Sequence, residues 1–157
     1  MWSNKFIWHS RQGDRQCEEK FARGIDRLPE ARQIREEVFV REQGFKNEFD
    51  ETDKTAWHCV IFVEGRAAAT GRLYSDKSRP FAASIGRVAV IESERGTGLG
   101  SLLMSGLEAL ARDKGYESIS VSAQCRVKDF YRSRGYTEEG EEYLDEFCPH
   151  ILMRKIL

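Results

Sequence analysis

Hydrophobic residues in the first part of the chain predict one helix and leave the N-terminus ambiguous. An apolar run over residues 5–9 suits a short strand, whereas residues 1–14 equally suit a flexible lead-in. After Pro29, apolar residues recur with the 3.6-residue period of a helix, and Gly44 is a residue type that commonly ends one. The pattern therefore predicts a helix between Pro29 and Gly44.

The middle of the chain has the pattern of β-strands. Trp57–Val63 is apolar at nearly every position, which predicts a central strand covered on both faces. Glu64 and Gly65 supply a turn, so residues 66–74 are predicted to return as the second strand of a hairpin. Residues 83–91 are rich in β-branched side chains and predict a third strand.

A helical period returns after this third strand. The apolar stripe of the predicted helix consists of Leu99, Leu102, Leu103, Leu107 and Leu110. Gly115 is suited to end the helix, and Ser118–Gln124 then alternates as a strand does. Residues 127–134 are predicted to form a second, shorter helix.

The last elements complete the predicted fold. Residues 136–147 and 150–156 are predicted to be a pair of strands, with Pro149 at their junction. The order of elements predicts an α/β protein with a mixed central sheet and helices packed on its faces. A chain of 157 residues fits one domain, so we expect a single domain over residues 1–157.

Composition and charge exclude several kinds of partner. A formal net charge of −1 argues against nucleic-acid binding by bulk electrostatics. No apolar stretch approaches the roughly 20 residues that a membrane-spanning helix needs, so we expect no membrane partner. The cysteines form no Cys-x-x-Cys pair, which predicts no metal site and buried or idle thiols in a reducing cytoplasm; they are Cys17, Cys59, Cys125 and Cys148.

A glycine-rich loop joins the third strand to the leucine-rich helix. It consists of Arg95, Gly96, Thr97, Gly98, Leu99, Gly100 and Ser101. The start of a helix directs free N–H groups and the positive end of the helix dipole towards one point. Glycine lets the main chain approach a phosphate closely, and the guanidinium of Arg95 suits phosphate oxygens. The loop therefore predicts a ligand that carries a diphosphate, although a turn that merely accommodates glycine is the plain structural alternative.

The spacing of the glycines separates this loop from two common nucleotide-binding motifs. A Walker loop needs Gly-Lys-Ser/Thr, which does not occur in the chain. A dinucleotide motif needs Gly-x-Gly-x-x-Gly and an acidic residue at the end of the next strand. Here the glycines run Gly96-x-Gly98-x-Gly100, and no acidic residue ends the following strand near position 120.

Several segments resemble the GNAT superfamily of N-acetyltransferases. The spacing Arg95-x-x-Gly98-x-Gly100 resembles the acetyl-CoA loop of that family, and residues 130–136 resemble its Phe-Tyr-x-x-x-Gly-Phe segment. The segments similar to the ElaA-like subgroup are residues 34–45, 50–53, 85–90 and 149–150. The resemblance extends from about Pro29 to the last residue.

The resemblance implies a fold, a reaction and a set of site residues. It implies the GNAT fold, in which two splayed parallel strands hold the coenzyme, here residues 84–91 and Ser118–Gln124. It implies direct transfer of an acetyl group from acetyl-CoA to a primary amine in a ternary complex, without a metal. The predicted coenzyme-binding residues are Val88, Ala89, Val90, Arg95, Gly96, Thr97, Gly98, Leu99, Gly100, Ser101, Gln124, Phe130 and Tyr131.

The resemblance also suggests how protons move in this reaction. Tyr131 matches the tyrosine that serves as general acid, because a phenol stays protonated at neutral pH and protonates the leaving thiolate. His150 and Glu142 are candidate bases, with Glu51, Asp145 or a chain of waters as alternatives. His58 lies in an apolar strand and is interpreted as a core histidine. Cys148, where the subgroup tends to carry isoleucine, is interpreted as an inert thiol.

The acceptor side is the least defined part of the prediction. The helix after Pro29 is expected to line it, with Arg35, Arg41, Glu42 and Gln43 as candidates. The acidic residues Glu48, Asp50, Glu51 and Asp53 are interpreted as a solvated loop. Alternatively, residues 50–53 would border the acceptor pocket and favour a cationic amine.

Two other functional classes stay open beside the enzyme. The chain would be a catalytically silent acyl-CoA sensor if it keeps the loop without the chemistry, or an unrelated α/β nucleotide-binding module. The acceptor is open between polyamines, aminoglycosides, small metabolites and protein N-termini, and a homodimer is common for such domains.

Overall fold

A computed structural model describes residues 1–157. The strands are β1 Trp2–Ser10, β2 Gly13–Arg23, β3 Trp57–Val63, β4 Arg66–Ser75, β5 Ala82–Val90, β6 Ser118–Gln124, β7 Thr137–Asp145 and β8 Cys148–Ile156. The helices are α1 Pro29–Arg35, continued by a π-helical segment over Glu36–Glu42, then α2 Leu99–Asp113 and α3 Lys128–Ser133. The chain divides into two compact units, which are described in turn: residues 1–74 with 87–107, and residues 75–86 with 108–157.

The first unit is built on antiparallel strands. Their order is β1-β2-β3-β4-β5, with residues 87–90 of β5 belonging to this unit. β3 is buried along most of its length, as predicted for a central strand. Helix α2 packs closely on β4 at Gly71, where an added Cβ would come within 2.7 Å of Leu107 Cδ1. A Cβ at this position would displace the Leu107 side chain, so glycine permits the close packing of α2 on β4.

The second unit carries the mixed part of the sheet. Its order is β5-β6-β8-β7, with residues 82–86 of β5 belonging to this unit. β5 and β6 are parallel, from the pair Ala82↔Ser118 to the pair Ile85↔Val121. β6 pairs antiparallel with β8, which pairs antiparallel with β7. The predicted α/β class with a mixed sheet is thereby confirmed.

A buried carboxylate holds the helix and the strands of the second unit together. Glu108 of α2 accepts hydrogen bonds from the Tyr136 hydroxyl at 2.7 Å, from Arg134 at 3.0 Å and from Lys155 at 3.2 Å. Burial raises the pKa of this carboxyl, but the hydrogen bond from Tyr136 and the charge of Arg134 outweigh burial and hold the pKa below its ordinary value.

The N-terminus differs from one of its two predicted forms. Residues 1–14 form β1 and the start of β2, so the strand alternative over residues 5–9 describes this segment and the flexible lead-in does not. Trp2 lies opposite Phe21 in the hairpin, and their rings stack with centroids 4.5 Å apart. Packing against β2 therefore orders the segment.

The prediction that Pro149 lies at the junction of the last two strands is wrong. It is the second residue of β8, and the chain reverses at Glu146, which has φ +54°, and Phe147. The pairing of β8 with β6 extends only to Gln124↔His150, so the missing N–H of the proline interrupts no bond to that strand.

The helix that begins at Pro29 is confirmed, with proline in its first turn. Gly44 has φ +83° and its N–H donates to the Val40 carbonyl, which ends the helical segment as predicted. None of the helices is long and apolar enough to cross a membrane.

Candidate active site

The glycine-rich loop of the first unit exposes its main chain at two glycines. Gly96 has φ +79° and Gly98 has φ +94°, a left-handed conformation that residues with a Cβ resist. Both glycines are exposed, whereas Thr97 between them is buried. The Thr97 hydroxyl donates a hydrogen bond to the Glu94 carbonyl at 2.6 Å, which fixes the turn from inside.

The loop leads directly into the first turn of α2. The Leu102 N–H donates to the Gly98 carbonyl at 3.1 Å, which is the first bond of the helical ladder. The N–H groups of Leu99, Gly100 and Ser101 therefore precede every acceptor inside the helix. Leu99 is buried and anchors this end of the helix. This geometry suits an anion at a helix N-terminus, and the diphosphate ligand at the loop stays a prediction.

The guanidinium of Arg95 is engaged with a carboxylate. Its Nη1 and Nη2 atoms donate to both Glu42 oxygens, at 2.6 and 2.9 Å, and its Nε donates to the Val90 carbonyl at 3.0 Å. A phosphate at the loop would therefore compete with Glu42 for this fork. The main-chain N–H groups at the start of α2 do not compete with Glu42 in this way, so they are the more direct donors for an anion.

The strand before the loop contains a strained residue. Arg87 has φ +53° inside β5, although it is not glycine, and it directly precedes Val88. Its Nε donates to the Glu48 carbonyl at 3.1 Å, which helps to hold this conformation. Ala89 is buried, whereas Val88 and Val90 are half-buried. These three residues adjoin the loop in the first unit, and their role towards the coenzyme stays a prediction.

Tyr131 lies in the second unit and is almost completely buried, with 7% of its surface exposed. Its ring packs edge-on against Phe130 at 5.0 Å and against Tyr136 at 5.7 Å between centroids. Burial raises the pKa of the phenol well above its ordinary value. Tyr131 is therefore protonated at neutral pH, the state that a general acid requires.

His150 is buried in the second unit, near the start of β8. Its Nδ1–H donates to the Cys148 carbonyl at 2.8 Å, so the lone pair of the neutral ring lies on Nε2. In the sheet register His150 lies between Gln124 of β6 and Tyr143 of β7. The rings of Tyr143 and His150 stack at 6.0 Å, and the Tyr143 hydroxyl is hydrogen-bonded to Ser122.

The other candidate bases and the thiol at 148 have different surroundings. Glu142 is exposed and shares a hydrogen bond with the Cys125 thiol. Glu51 is exposed and pairs with Lys54 at 3.0 Å. Burial raises the pKa of the Cys148 thiol, so this thiol is protonated at neutral pH, in keeping with its interpretation as inert.

The acidic stretch does not form the solvated loop that the sequence suggested. Glu48 and Asp53 are only 5% and 3% exposed. Arg35 donates to Glu48 at 2.8 Å and to Asp53 at 2.6 Å, and Arg72 donates to Asp53 at 2.8 Å and to Asp50 at 2.6 Å. The prediction was wrong for these carboxylates because buried arginines from α1 and β4 require them as counter-ions.

This ionic cluster, defined as Arg35, Glu48, Asp50, Asp53 and Arg72, also corrects two predictions about the acceptor side. Arg35 is buried and paired, so it is not an acceptor-facing residue. Asp53 receives hydrogen bonds from two guanidinium groups and the Asp50 N–H, so its charge is already compensated within the protein.

His58 extends the ionic cluster and is a core residue, as predicted. It is buried in β3, and its Nε2–H donates to the Asp53 carbonyl at 3.0 Å. Burial lowers the pKa of His58, so the imidazole is neutral at neutral pH.

Comparison with known proteins identifies the class that this fold and loop define. The family model described as an acetyltransferase (GNAT) domain matches residues 23–157. The chain therefore belongs to the GNAT acetyltransferase family, which confirms the resemblance noted in its loop. The fold of this family binds acyl-CoA.

Individual relatives agree with this assignment. The uncharacterized N-acetyltransferase YjcF of Bacillus subtilis (strain 168) is 32% identical over 137 residues, which are 85% of this chain and 96% of YjcF. Escherichia coli ElaA is 28% identical, with a TM-score of 0.77 over 88% of this chain and 99% of ElaA. An acyl-CoA N-acyltransferase from Pseudomonas aeruginosa is 30% identical, with a TM-score of 0.76 over 87% of this chain and 97% of that protein.

Some features of the two units were not predicted from the sequence. The hydrogen bond of Tyr143 and its stacking on His150 were missed, although strand alternation places Tyr143 on one face with residues 139 and 145. The ionic cluster was missed because hydropathy treats every carboxylate as exposed. No group of three or more His, Cys, Asp or Glu residues is arranged to hold a metal ion.

Proposed function

We propose that the protein is an N-acetyltransferase that moves an acetyl group from acetyl-CoA to a primary amine by direct transfer. The observation that carries the proposal is the exposed, left-handed main chain at Gly96 and Gly98, at the start of α2, in a chain of the GNAT family. This arrangement suits the coenzyme's pyrophosphate, because free N–H groups and the helix dipole favour an anion there.

The proposed reaction forms a C–N bond and breaks a C–S bond. The neutral amine attacks the thioester carbonyl, whose oxygen accepts a hydrogen bond from a main-chain N–H of Val88 or Val90. The amine nitrogen gives its proton to a base, for which we propose His150 through Nε2, with Glu142 as the alternative. The leaving thiolate takes its proton from the Tyr131 hydroxyl. We propose Gln124, Phe130 and Tyr131 as coenzyme contacts of the second unit.

The compartment is proposed on the chemistry of the cysteines. All four are free thiols, and burial raises the pKa of the Cys17 and Cys59 thiols. Unpaired, unreactive thiols suit a reducing cytoplasm.

The function is tested by ligand binding followed by turnover. We expect coenzyme A to raise the melting temperature, whereas ATP and NAD leave it unchanged. Thiol release from acetyl-CoA is then measured with polyamines, aminoglycosides, amino acids and peptide N-termini. Binding without release for any amine would support the silent acyl-CoA sensor, and the loss of coenzyme selectivity would reject the proposed anion site.

Substitution of Gly98 by alanine is expected to weaken coenzyme A binding about tenfold. The left-handed conformation at φ +94° costs a residue with a Cβ about 1–2 kcal/mol. A loop relaxed by this substitution must regain that conformation on binding, and about 1.4 kcal/mol is a factor of ten in Kd. Isothermal titration calorimetry measures the change.

Gly140→Ala is the matched control, because Gly140 has φ +74° and an added Cβ there meets nothing within 4 Å. It introduces comparable strain in β7, so it should lower stability and leave the Kd for coenzyme A unchanged. Equal effects of the two substitutions on Kd would show that Gly98 acts through stability alone.

A further inference from the structure

The N-terminal hairpin, formed by β1 and β2, lies almost entirely outside the family match. β1 spans Trp2–Ser10 and β2 spans Gly13–Arg23, whereas the match begins at residue 23. The hairpin belongs to the first unit, which also contains the glycine-rich loop and the start of α2. The hairpin contacts both the loop and α2, and these contacts indicate that it supports their positions.

A two-pronged ion pair joins the hairpin to the segment that enters the loop. Arg15 Nη1 and Nη2 donate to the two carboxylate oxygens of Glu94 at 2.7 and 2.8 Å. The side chains are only 23% and 12% exposed, so solvent screens the pair less than a surface pair. Glu94 in turn offers its carbonyl to the Thr97 hydroxyl at 2.6 Å. Arg15 therefore binds the side chain of Glu94, and the carbonyl of the same residue fixes the turn of the loop.

The indole of Trp8 flanks the loop beside this ion pair. Trp8 lies opposite Arg15 in the hairpin register. Its Cζ2 atom is 3.8 Å from the position that a Cβ on Gly98 would take. The ring is half-buried, so it forms a wall at the second glycine of the loop.

The hairpin is also fixed to α2, two turns further along the helix. A Cβ added to Gly106 would come within 1.8 Å of Glu19 Oε1 and 3.5 Å of Phe21 Cζ. A glycine in the helix thus permits the side chains of Glu19 and Phe21 in β2 to lie directly against it. The hairpin contacts both the loop and the helix that form the proposed anion site. A displacement of the hairpin would therefore displace these two elements.

We infer that the N-terminal hairpin positions the coenzyme loop, with Arg15 and Trp8 as positioning residues. This inference rests on the proposed function. It makes the affinity for acyl-CoA depend on a segment that is not part of the matched family domain. Arg15 acts through Glu94 and Thr97, and Trp8 acts through Gly98; neither touches the reacting atoms.

The test compares Arg15→Met with Arg11→Met, because Arg11 is an exposed arginine at the tip of the same hairpin. For Arg15→Met we expect the Kd for coenzyme A and the KM for acetyl-CoA to rise roughly 5- to 30-fold. The kcat and the KM for the amine should stay within about twofold of wild type, since Arg15 acts on the loop that holds the donor. Arg11→Met should change none of these values.

Two further variants separate positioning from a general loss of structure. Arg15→Lys keeps the charge without the fork and should give an intermediate Kd. The double variant Arg15→Glu with Glu94→Arg should recover much of the affinity that either single variant loses. The inference would be overturned if the wild-type protein binds coenzyme A and the variants Arg15→Met and Arg15→Lys bind it with the same Kd. If wild-type protein does not bind coenzyme A, the proposed function itself fails, and the inference fails with it.

Discussion

Replacement of Tyr131 by phenylalanine is expected to lower kcat by about 10²- to 10⁴-fold, the contribution typical of a general acid. The ring contacts with Phe130 and Tyr136 persist, because phenylalanine keeps the same aromatic body. Only the hydroxyl is removed. Burial raises the pKa of this phenol, so it keeps its proton at neutral pH until the thiolate forms beside it. The Kd for coenzyme A should stay within about twofold of wild type.

Tyr136→Phe is the control for this experiment. Tyr136 is also a buried tyrosine of the second unit, but its hydroxyl donates to Glu108 at 2.7 Å and serves the fold. Its removal should lower the melting temperature, since it takes a hydrogen bond from a buried carboxylate, and leave kcat of the folded protein unchanged. Steady-state kinetics with saturating acetyl-CoA measures both variants. A wild-type kcat in Tyr131→Phe would exclude the acid role.

The elements that were predicted well are those with local signals. β3 and β4 were placed within one residue because β3 is buried along most of its length and Glu64 and Gly65 adopt the left-handed turn that their sequence suggests. Helix α2 was found because its leucines face one side and Leu103 and Leu107 are completely buried.

β1 gave almost no signal for a physical reason. It lies at the end of the strand order, and most of its residues are exposed. An edge strand with little burial needs no strict alternation of apolar residues, so periodicity cannot reveal it. The contacts that order it, such as Trp2 on Phe21, join residues 19 positions apart along the chain.

The first unit likewise contains one feature that the sequence could predict and one that it could not. The loop at Gly96 and Gly98 was predictable, because its conformation is set by the glycines and the adjoining helix start. The ionic cluster was not predictable, since its pairs join Arg35 to Asp53 and Arg72 to Asp50 across turns of the fold. Burial of a charge depends on a partner that only the tertiary structure supplies.

Removal of one member of this cluster is expected to cause the largest loss of stability in the molecule. Arg35→Met leaves Glu48 and Asp53 buried with fewer counter-ions, and breaking a buried pair from one side costs about 3–5 kcal/mol. Arg32→Met is the control on the same helix. Arg32 is half-exposed and its nearest carboxylate is 3.9 Å away, so its loss should cost less than about 1 kcal/mol.

Equilibrium unfolding in urea measures these free energies of unfolding. The double variant Arg35→Met with Glu48→Gln should be less destabilised than the sum of its single variants, because the second substitution removes a carboxylate that the first leaves uncompensated. Equal stability of Arg35→Met and Arg32→Met would contradict the structural role of the cluster.

The cluster also predicts how stability changes in acid. Burial raises the pKa of Asp53, but hydrogen bonds from Arg35, the Asp50 N–H and Arg72 outweigh burial and hold the pKa well below its ordinary value of 3.8. A carboxyl whose pKa is lowered by folding stabilises the protein above its unfolded pKa, and that contribution is lost as the pH falls towards the folded pKa. Asp53→Asn should therefore be less stable than wild type at pH 7, and the difference should shrink below about pH 4. If the difference in the free energy of unfolding between wild type and Asp53→Asn is constant from pH 7 to pH 3, the charge of Asp53 does not contribute to stability. The effect of the substitution would then come from changed packing and hydrogen bonds alone.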